Sequence, residues 1–181
     1  MKKKLLFISV LLLCAIGVAV IGQGDNKLTA KQEKREVREK RRADKQAAYE
    51  KMIDSIVLSH TFQFNPQTMQ QQPAGSTRMM SNPNFNVGYW DGTIDVFLPY
   101  IKGYVPPYHT VIINYTLPSV ENYVTEQTDE GWIVTFETSL FSASTYTFSL
   151  EISSKFGGAT LTVKNPWYNA VQYYGSISKL Y

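Results

Sequence analysis

Few residues of this chain have the type and spacing that catalysis or metal binding requires. Its two histidines, His60 and His109, stand far apart, and neither belongs to the HExxH pattern in which paired imidazole rings bind zinc. A serine nucleophile needs a neighbouring base and an oxyanion hole, and the chain contains no Gly-x-Ser-x-Gly sequence. We therefore predict no catalytic residue, no metal site and no cofactor.

Two pairs of carboxylates are close enough in sequence to act together as a general acid and a general base. Asp91 and Asp95 flank a turn, and Asp129 and Glu130 lie within one. Acidic side chains are common at turns for structural reasons, because they hydrogen-bond to nearby backbone groups. The two pairs therefore do not indicate an enzyme, and a non-enzymatic protein is the first hypothesis.

Aromatic residues are the one chemical excess, at 13% of the chain. Neighbouring residues of a strand point to opposite faces of a sheet, so Tyr173 and Tyr174 cannot both face one core. Outward aromatic rings could stack on sugar rings or hold a peptide, whereas the alternative is that they fill the core or lie beneath a helix. The predicted ligand-surface aromatics are Trp90, Tyr100, Tyr104, Tyr108, Trp167 and Tyr174.

The elements that would position these residues are predominantly strands. From residue 60 onward apolar residues alternate with polar ones, as in residues 132–136, and turn signals such as Asp91-Gly92 separate the runs. Residues 67–83 have no such period and are predicted to form a loop. Short connections between seven or eight strands predict a mainly β protein, whose antiparallel sheet forms a sandwich or a strongly curved, partly open barrel.

One long helix is predicted at residues 27–59, and its two halves differ. Residues 30–45 contain Val37 as their one strongly apolar residue and should be solvated. The later half is predicted to dock on the sheet, because its apolar residues recur at helical spacing on one face. These residues are Tyr49, Met52, Ile53, Ile56 and Val57. We thus expect residues 23–48 to form a charged spacer and residues 49–181 a single antiparallel β domain with the docked helix end.

The first 22 residues have the features of a bacterial secretory signal peptide. Three lysines at residues 2–4 precede an apolar run at residues 5–21, and Gly22 suits the small-residue position before a cleavage site. The alternative is an uncleaved anchor, which would be the one membrane contact. Lipid attachment at Cys14, the sole cysteine, is disfavoured because the bulky Leu13 precedes it. The predicted location is the periplasm, the cell envelope or the exterior.

The basic charge balance does not predict nucleic-acid binding. The segment 25–54 has a net charge of +3 and the residues from 55 onward a net charge of −3. The basic pI of about 8.8 therefore comes from the signal lysines and from one helical segment. Acidic residues are interleaved throughout that segment, which is typical of a solvated helix, although a basic surface for anionic lipid is the alternative.

Several short motifs, taken in order, resemble a known bacterial family. Leu98-Pro99-Tyr100 is followed by Gly131-Trp132, by the alternating residues 146–152 and 158–163, and by a closing Tyr174-Gly175-Ser176-Ile177. This series is similar to the domain of unknown function DUF4251 over residues 49–180. The resemblance implies an exported or envelope protein and supplies no catalytic positions. One departure is that Lys102 precedes Gly103, whereas the family pattern places the glycine before a basic residue.

Two hypotheses for function follow from these observations. The first is an exported envelope protein that binds a glycan, lipid or peptide through one sheet face or rim, with the helix as a spacer. The alternative is a carrier that holds a hydrophobic ligand in a cavity enclosed by the curved sheet, as lipocalins do. An enzyme is the third and least supported class.

Overall fold

The computed structural model describes the backbone of residues 2–103, 107–140 and 144–180, and the side chains of residues 29–103, 107–139 and 145–180. Within these ranges the chain forms one helix, α1, and ten strands. Their bounds are α1 Lys2–Leu58, β1 Thr61–Gln71, β2 Arg78–Met79, β3 Asn86–Trp90, β4 Thr93–Lys102, β5 His109–Leu117, β6 Glu121–Thr128, β7 Gly131–Leu140, β8 Ser144–Ser153, β9 Gly158–Asn165 and β10 Tyr168–Lys179.

The strands form a single antiparallel sheet. Nine of them follow the order β5-β4-β3-β1-β10-β9-β8-β7-β6, and β2 pairs with β1 beside this path. The first strand is thus central, because it pairs with β3 on one side and with β10 near the end of the chain on the other. Hairpin connections account for the remaining neighbours, as the short predicted turns require.

The sheet is strongly curved and open, as predicted, and it is one sheet rather than a sandwich of two. Strands β5 and β6 lie at opposite ends of the strand order, yet residues 118–120 alone connect them. Four residue steps span at most about 14 Å, so the sheet must curl until these two edges approach each other. Ring contacts confirm the curl, since Tyr89 of β3 stacks on Tyr123 of β6 at 4.6 Å between ring centroids.

One face of the sheet, here the inner face, carries the hydrophobic core. Along β7 the inner positions Trp132, Val134 and Phe136 are 8%, 0% and 1% exposed, which confirms the predicted alternation. The same period buries Phe148 and Leu161 on the next two strands. The opposite face, here the outer face, is dominated by Thr, Ser, Gln and charged residues.

The end of α1 packs against this core. Ile53, Ile56 and Val57 belong to the buried cluster, as predicted for the docking half of the helix. Met52 was also assigned to the docking face, and that prediction was wrong, because its side chain is 47% exposed. Tyr49 packs at the margin of the core, and a Cβ atom added to Gly157 would overlap its hydroxyl group.

The prediction of a loop at residues 67–83 was partly wrong. Strand β1 continues to Gln71, and Arg78 and Met79 form β2 beside it. The polar sequence gives no apolar period here, but β1 pairs with β10 as far as Gln71, so its backbone hydrogen bonds rather than its side chains define the strand. Met69 is buried on the inner face.

The chain divides into two compact units, Met1–Ala47 and Ala48–Tyr181. In the first unit, the side chains of residues 29–47 are all exposed, as predicted for the charged half of the helix. The second unit contains the end of α1 and the whole sheet. Among the residues whose side chains are described, no helix combines the length and the apolar character that crossing a membrane requires.

Candidate binding groove on the outer face

A groove on the outer face, here called the Trp90 groove, brings together polar side chains and one indole ring. It has a volume of about 580 Å³ and opens to solvent. Strands β1, β3 and β4 supply all but one of its residues. The groove is lined by Thr61, Gln63, Asn86, Gly88, Trp90, Asp95 and Leu180.

The pairing register explains why these residues meet. Gly88 lies opposite Gln63 of β1 and opposite Asp95 of β4, so the three residues form one row across three strands. Side chains of one row point to the same face of an antiparallel sheet. The glycine in the middle of the row leaves a gap between the two polar side chains.

The indole ring of Trp90 lies across this gap. A Cβ atom added to Gly88 would stand 3.2 Å from Cζ3 of the ring and 3.7 Å from Cε3. The six-membered part of the indole therefore rests close to the glycine backbone, and a Cβ atom at this position would require the ring to move by a few tenths of an ångström. Trp90 is half-buried, so part of the ring remains open to a ligand.

Hydrogen bonds orient the polar side chains around the ring. The Gln63 amide nitrogen donates to Asn65 Oδ1 at 2.7 Å, and the Asn86 amide nitrogen donates to the Asn84 carbonyl oxygen at 2.8 Å. The Thr116 hydroxyl donates to Asp95 Oδ1 at 2.6 Å. Each bond fixes its side chain through one atom, and each amide nitrogen keeps a second N–H. Gln63 Oε1, Asn86 Oδ1 and Asp95 Oδ2 are then left as acceptors for a ligand.

The electrostatics of the groove are simple. Asp95 is the one charged residue among those that line it. No lysine, arginine or histidine accompanies it in this set, so the groove has acceptor oxygens and a negative charge but no cation to hold an anion. The arrangement can accept hydrogen bonds around a flat apolar surface, and nothing in it resembles a nucleophile beside a base.

Of the predicted ligand-surface aromatics, Trp90 alone among the described ones lies in the groove. The prediction that Tyr100 lies on a ligand surface was wrong. Its side chain is fully buried, because the strict alternation of β4 from Ile94 through Leu98 places it on the inner face. Its hydroxyl donates to the Asn169 carbonyl oxygen at 3.1 Å. Tyr104 lies outside the described residues.

The remaining predicted aromatics are exposed but stand elsewhere. Tyr108 directly precedes β5, whose first residue pairs with Lys102 at the far end of β4, and Trp167 lies in the β9–β10 turn. Their side chains are 42% and 65% exposed. Tyr174 is on the outer face of β10, where its hydroxyl donates to Gln172 Oε1 at 2.7 Å. The structure therefore does not gather the six residues into one site.

The polar members of the groove were not predicted as site residues. Asp95 was considered only as a partner of Asp91, which instead lies in the β3–β4 turn with a φ of 47°. The signal that could have found them was the Asp91-Gly92 hairpin, since its register sets Gly88 opposite Asp95. Gln63 could not be added from sequence, because the pairing of β1 with β3 is not a simple hairpin.

The two histidines and the Asp129–Glu130 pair lie outside the Trp90 groove. His60 has a φ of 52° just after α1, and its ring lies 5.2 Å from that of Tyr123. His109 opens the edge strand β5. Among the described residues, no group of three or more His, Cys, Asp or Glu side chains is arranged to hold a metal ion.

Comparison with known proteins places the chain in a family. The family model for the Domain of unknown function (DUF4251) matches residues 44–177. The chain belongs to this family. The resemblance inferred from the motifs is thereby confirmed, over nearly the same residues. The family description names no activity, so the function of this DUF4251 protein has to be argued from its groove.

A solved structure shows the same fold. The crystal structure of a DUF4251 family protein from Bacteroides eggerthii DSM 20697 has a TM-score of 0.58 and 16% sequence identity, and the match covers 75% of this chain and 91% of that chain. At this identity the likeness concerns the fold alone. No curated protein matches the chain.

Proposed function

We propose that this DUF4251 protein is exported to the bacterial envelope and acts there as a non-enzymatic binding module, with the Trp90 groove as its ligand site. The observation that carries the proposal is the indole of Trp90 resting on Gly88 between oriented acceptor oxygens. Aromatic and polar groups converging on a groove of this size are typical of small-molecule sites, which range from about 300 to 1,000 Å³.

Export is supported by the first residues of the chain. The lysines at residues 2–4, the apolar run and the small residue at Gly22 form a signal-peptide pattern. Cleavage there would remove no residue of the unit Ala48–Tyr181. Intact-mass measurement of the protein recovered from the producing bacterium tests this step. A chain that begins at Gln23 supports export with cleavage, and a full-length chain found in the cytoplasmic fraction contradicts it.

Binding is tested by a thermal-shift screen of the protein against glycans, lipids and envelope peptides. We expect at least one class to raise the melting temperature of the unmodified protein and to lose that effect with Trp90→Ala. Trp167→Ala is the matched control, because it removes an exposed tryptophan far from the groove along β10. Equal responses of both variants, or no stabilising ligand in any class, would count against the proposal.

A hydrophobic-ligand carrier is the second candidate, and one observation favours it. The hydroxyl groups of Tyr123 and Thr125 are buried on the inner side of β6, where they lie near each other, and neither forms a hydrogen bond of good geometry among the described residues. A bound molecule with a polar group could supply such a bond. However, aromatic rings occupy the interior beside them, since Phe136 stacks on Phe148 at 5.0 Å. Native mass spectrometry of protein from its own envelope separates the candidates, because a carrier retains lipid mass.

A further inference from the structure

We infer that the ligand of the Trp90 groove is a neutral saccharide, with one sugar ring stacked on the indole of Trp90. This inference rests on the proposed function and names the chemical class that the groove selects. Three observations support it: the orientation of the polar side chains, the absence of a basic residue among those that line the groove, and the contact between Gly88 and Trp90.

The hydrogen bonds of the side chains leave three oxygens open to donors of a ligand, while each amide nitrogen keeps one N–H for a ligand oxygen. The amide nitrogen of Gln63 is engaged with Asn65, and Asn65 donates in turn to Ser178 Oγ at 3.0 Å, so a chain of bonds holds the amide in place. Asn86 is held in the same sense by Asn84. A carboxylate accepts hydrogen bonds and cannot donate them. Adjacent hydroxyl groups of a sugar supply several donors at short spacing.

The negative charge of Asp95 disfavours anionic ligands in the groove. A phosphate, a sulfate or an acidic sugar would meet the Asp95 carboxylate without any basic side chain among the lining residues. Two of the three acceptors are neutral amides, which suits hydroxyl groups better than an ammonium ion. An extended peptide presents one N–H donor and one carbonyl acceptor per residue. A sugar ring presents adjacent hydroxyl groups that each donate and accept, so it meets the three oxygens and the second N–H of each amide more fully.

Lipid chains fit the groove poorly. A hydrocarbon chain would cover the acceptors of Gln63, Asn86 and Asp95 without replacing the hydrogen bonds that they form with water, which is unfavourable. A sugar ring presents an apolar face of C–H groups to the indole and a rim of hydroxyl groups to the oxygens. Both parts of the groove are then satisfied by one molecule.

The row of residues matches a ring laid over Gly88. Gln63 and Asp95 lie on strands separated by β3, so their backbones are about 10 Å apart at the ordinary strand spacing. A ring centred over the glycine can direct hydroxyl groups toward both sides at once. The glycine keeps the floor of the groove low, and the indole next to it provides the stacking surface.

Calorimetric titration of the protein, in the form that the cell produces, tests this inference. The ligands are methyl glycosides of neutral hexoses and of N-acetylhexosamines, together with short neutral oligosaccharides. Choline chloride, inorganic phosphate and uncharged peptides are titrated in parallel. We expect at least one neutral saccharide to bind, with Trp90→Ala weakening its affinity more than tenfold.

Gly88→Val provides a sharper variant, because its side chain would push the indole off the strand while keeping every polar group. We expect it to weaken saccharide binding more than tenfold. Gly158→Val is the matched control: the same change is made on the strand β9, where a Cβ atom would meet nothing within 4 Å. The control should bind as the unmodified protein does, and both variants should show the same folded-state circular dichroism.

The outcomes separate this inference from the proposed function. If peptides, choline or phosphate bind in a manner that depends on Trp90 while no neutral saccharide does, the groove is a binding site and the saccharide assignment is wrong. If a saccharide binds but Gly88→Val and Trp90→Ala leave its affinity unchanged, the assignment of the site is wrong. If no class of ligand binds, both proposals fail.

Discussion

Trp132 links the sheet to the helix end through a single hydrogen bond. Its indole N–H donates to Asp54 Oδ1 at 2.7 Å, while its ring is 8% exposed at the start of β7. Trp132→Ala should lower the free energy of unfolding by about 3 to 5 kcal/mol, the range for deleting a large core aromatic. Urea denaturation of the variant measures this. Stability near that of the unmodified chain would show that the ring contributes little to the core.

Trp132→Phe separates packing from the hydrogen bond. Phenylalanine keeps most of the buried ring but leaves Asp54 without the indole donor, and this carboxylate is only half-buried and can accept from water instead. The substitution should therefore cost less than Trp132→Ala. Equal losses for the two variants would mean that the bond to Asp54, rather than packing, carries the effect.

Tyr173 makes the stability of the protein sensitive to alkaline pH. Its side chain is fully buried, and its hydroxyl donates to the Pro99 carbonyl oxygen at 2.6 Å. Burial raises the pKa of Tyr173 well above its ordinary value of 10.0, and the neighbouring Tyr100 and Tyr146 raise it further. Above pH 10 the unfolded chain releases a proton that the folded chain retains, so the free energy of unfolding falls as pH rises.

Urea denaturation measures this decrease in the free energy of unfolding. The measurements run from about pH 7 to about pH 12, on both sides of the ordinary tyrosine pKa of about 10. The contribution of Tyr173 is fully present below pH 10 and is lost above it, so Tyr173→Phe should have a shallower alkaline decline than the unmodified chain. Tyr174→Phe is the matched control, because it removes an exposed hydroxyl from the same strand. Identical declines for the Tyr173 variant and the unmodified chain would contradict the argument.

Individual residues were predictable from sequence where the strand period was clear. The burial of Trp132 followed from its alternation with Val134 and Phe136. The acceptor Asp54 did not follow, because no sequence pattern brings a helix residue to a strand 78 positions later. Tyr100 was misassigned for a related reason: its cluster of neighbouring aromatics suggested a surface, whereas the period of β4 already placed it inside.

The helix is the element whose two halves should differ most in their effect on stability. Deleting residues 1–41 removes no buried side chain among the described residues, since residues 29–41 are exposed. It should change the free energy of unfolding by less than about 1 kcal/mol, as surface changes usually do. Deleting residues 1–57 also removes Ile53, Ile56 and Val57, each contributing on the order of 1.5 to 3 kcal/mol when fully buried. The longer deletion should be unstable or aggregate.

Thermal melting of the two truncated chains measures the difference. If both melt as the full chain does, the packing of the helix end contributes nothing to the stability of the sheet. Ile53→Ala in the full chain is the milder test, since it removes one buried side chain without exposing the core. Met52→Ala is its matched control, because Met52 precedes Ile53 in the same turn but is 47% exposed.

Strand β1 contains a proline although it lies in the middle of the sheet. Proline lacks the N–H that a central strand donates and is therefore found at edges or bulges. Here the register with β10 shifts between Pro66 and Thr68, which is such a bulge, and Gly175 lies opposite the proline. A Cβ atom on Gly175 would overlap the Asn65 carbonyl oxygen and stand 2.9 Å from Pro66 Cα.

Gly175→Ala should therefore destabilise the protein by about 1 to 3 kcal/mol, the usual cost of an overpacked position. Gly158→Ala makes the same change where a Cβ atom meets nothing within 4 Å, and it should alter stability by less than about 0.5 kcal/mol. Chemical denaturation of both variants gives the comparison. A tolerated Gly175→Ala would show that β1 can move away from β10 at the bulge.

Elements were predictable to the extent that one face of each strand is apolar. The hairpin around Asp91-Gly92 and strands β7 to β9 have clear alternation and were placed correctly. The second half of β1 was missed because its sequence is polar on both faces apart from Met69. It is a strand because β10 pairs with it, and that pairing joins residues about 100 positions apart, which local patterns cannot indicate.

For the sheet as a whole, curvature was expected because one helix cannot cover a flat sheet of so many strands. The order of the strands was beyond prediction, since the central pair joins the first strand to the last. The Trp90 groove depends on that order. Gln63 reaches the groove only because β1 lies beside β3, so the binding surface is a property of the complete sheet rather than of any one hairpin.

The two edges of the curled sheet are joined by the connection at residues 118–120 and by the packing of side chains on the inner face. The inner-face packing is extensive. Tyr89 stacks on Tyr123, and the ring of Tyr100 contacts that of Tyr146 edge to face at 5.6 Å between ring centroids. Tyr173 adds a hydrogen bond from β10 to β4. We therefore expect inner-face packing, and not the connection, to maintain the curl.

Inserting six Gly and Ser residues between Ser119 and Val120 tests this expectation. Lengthening the connection from three residues to nine should lower the free energy of unfolding by about 1 kcal/mol, the entropic cost of a longer closed loop. The near-ultraviolet circular dichroism of the stacked tyrosines should be retained, because the rings pack without help from the connection. If that signal collapses, or if the loss exceeds about three times the loop-closure value, the short connection holds the edges together and the inner-face packing is its consequence.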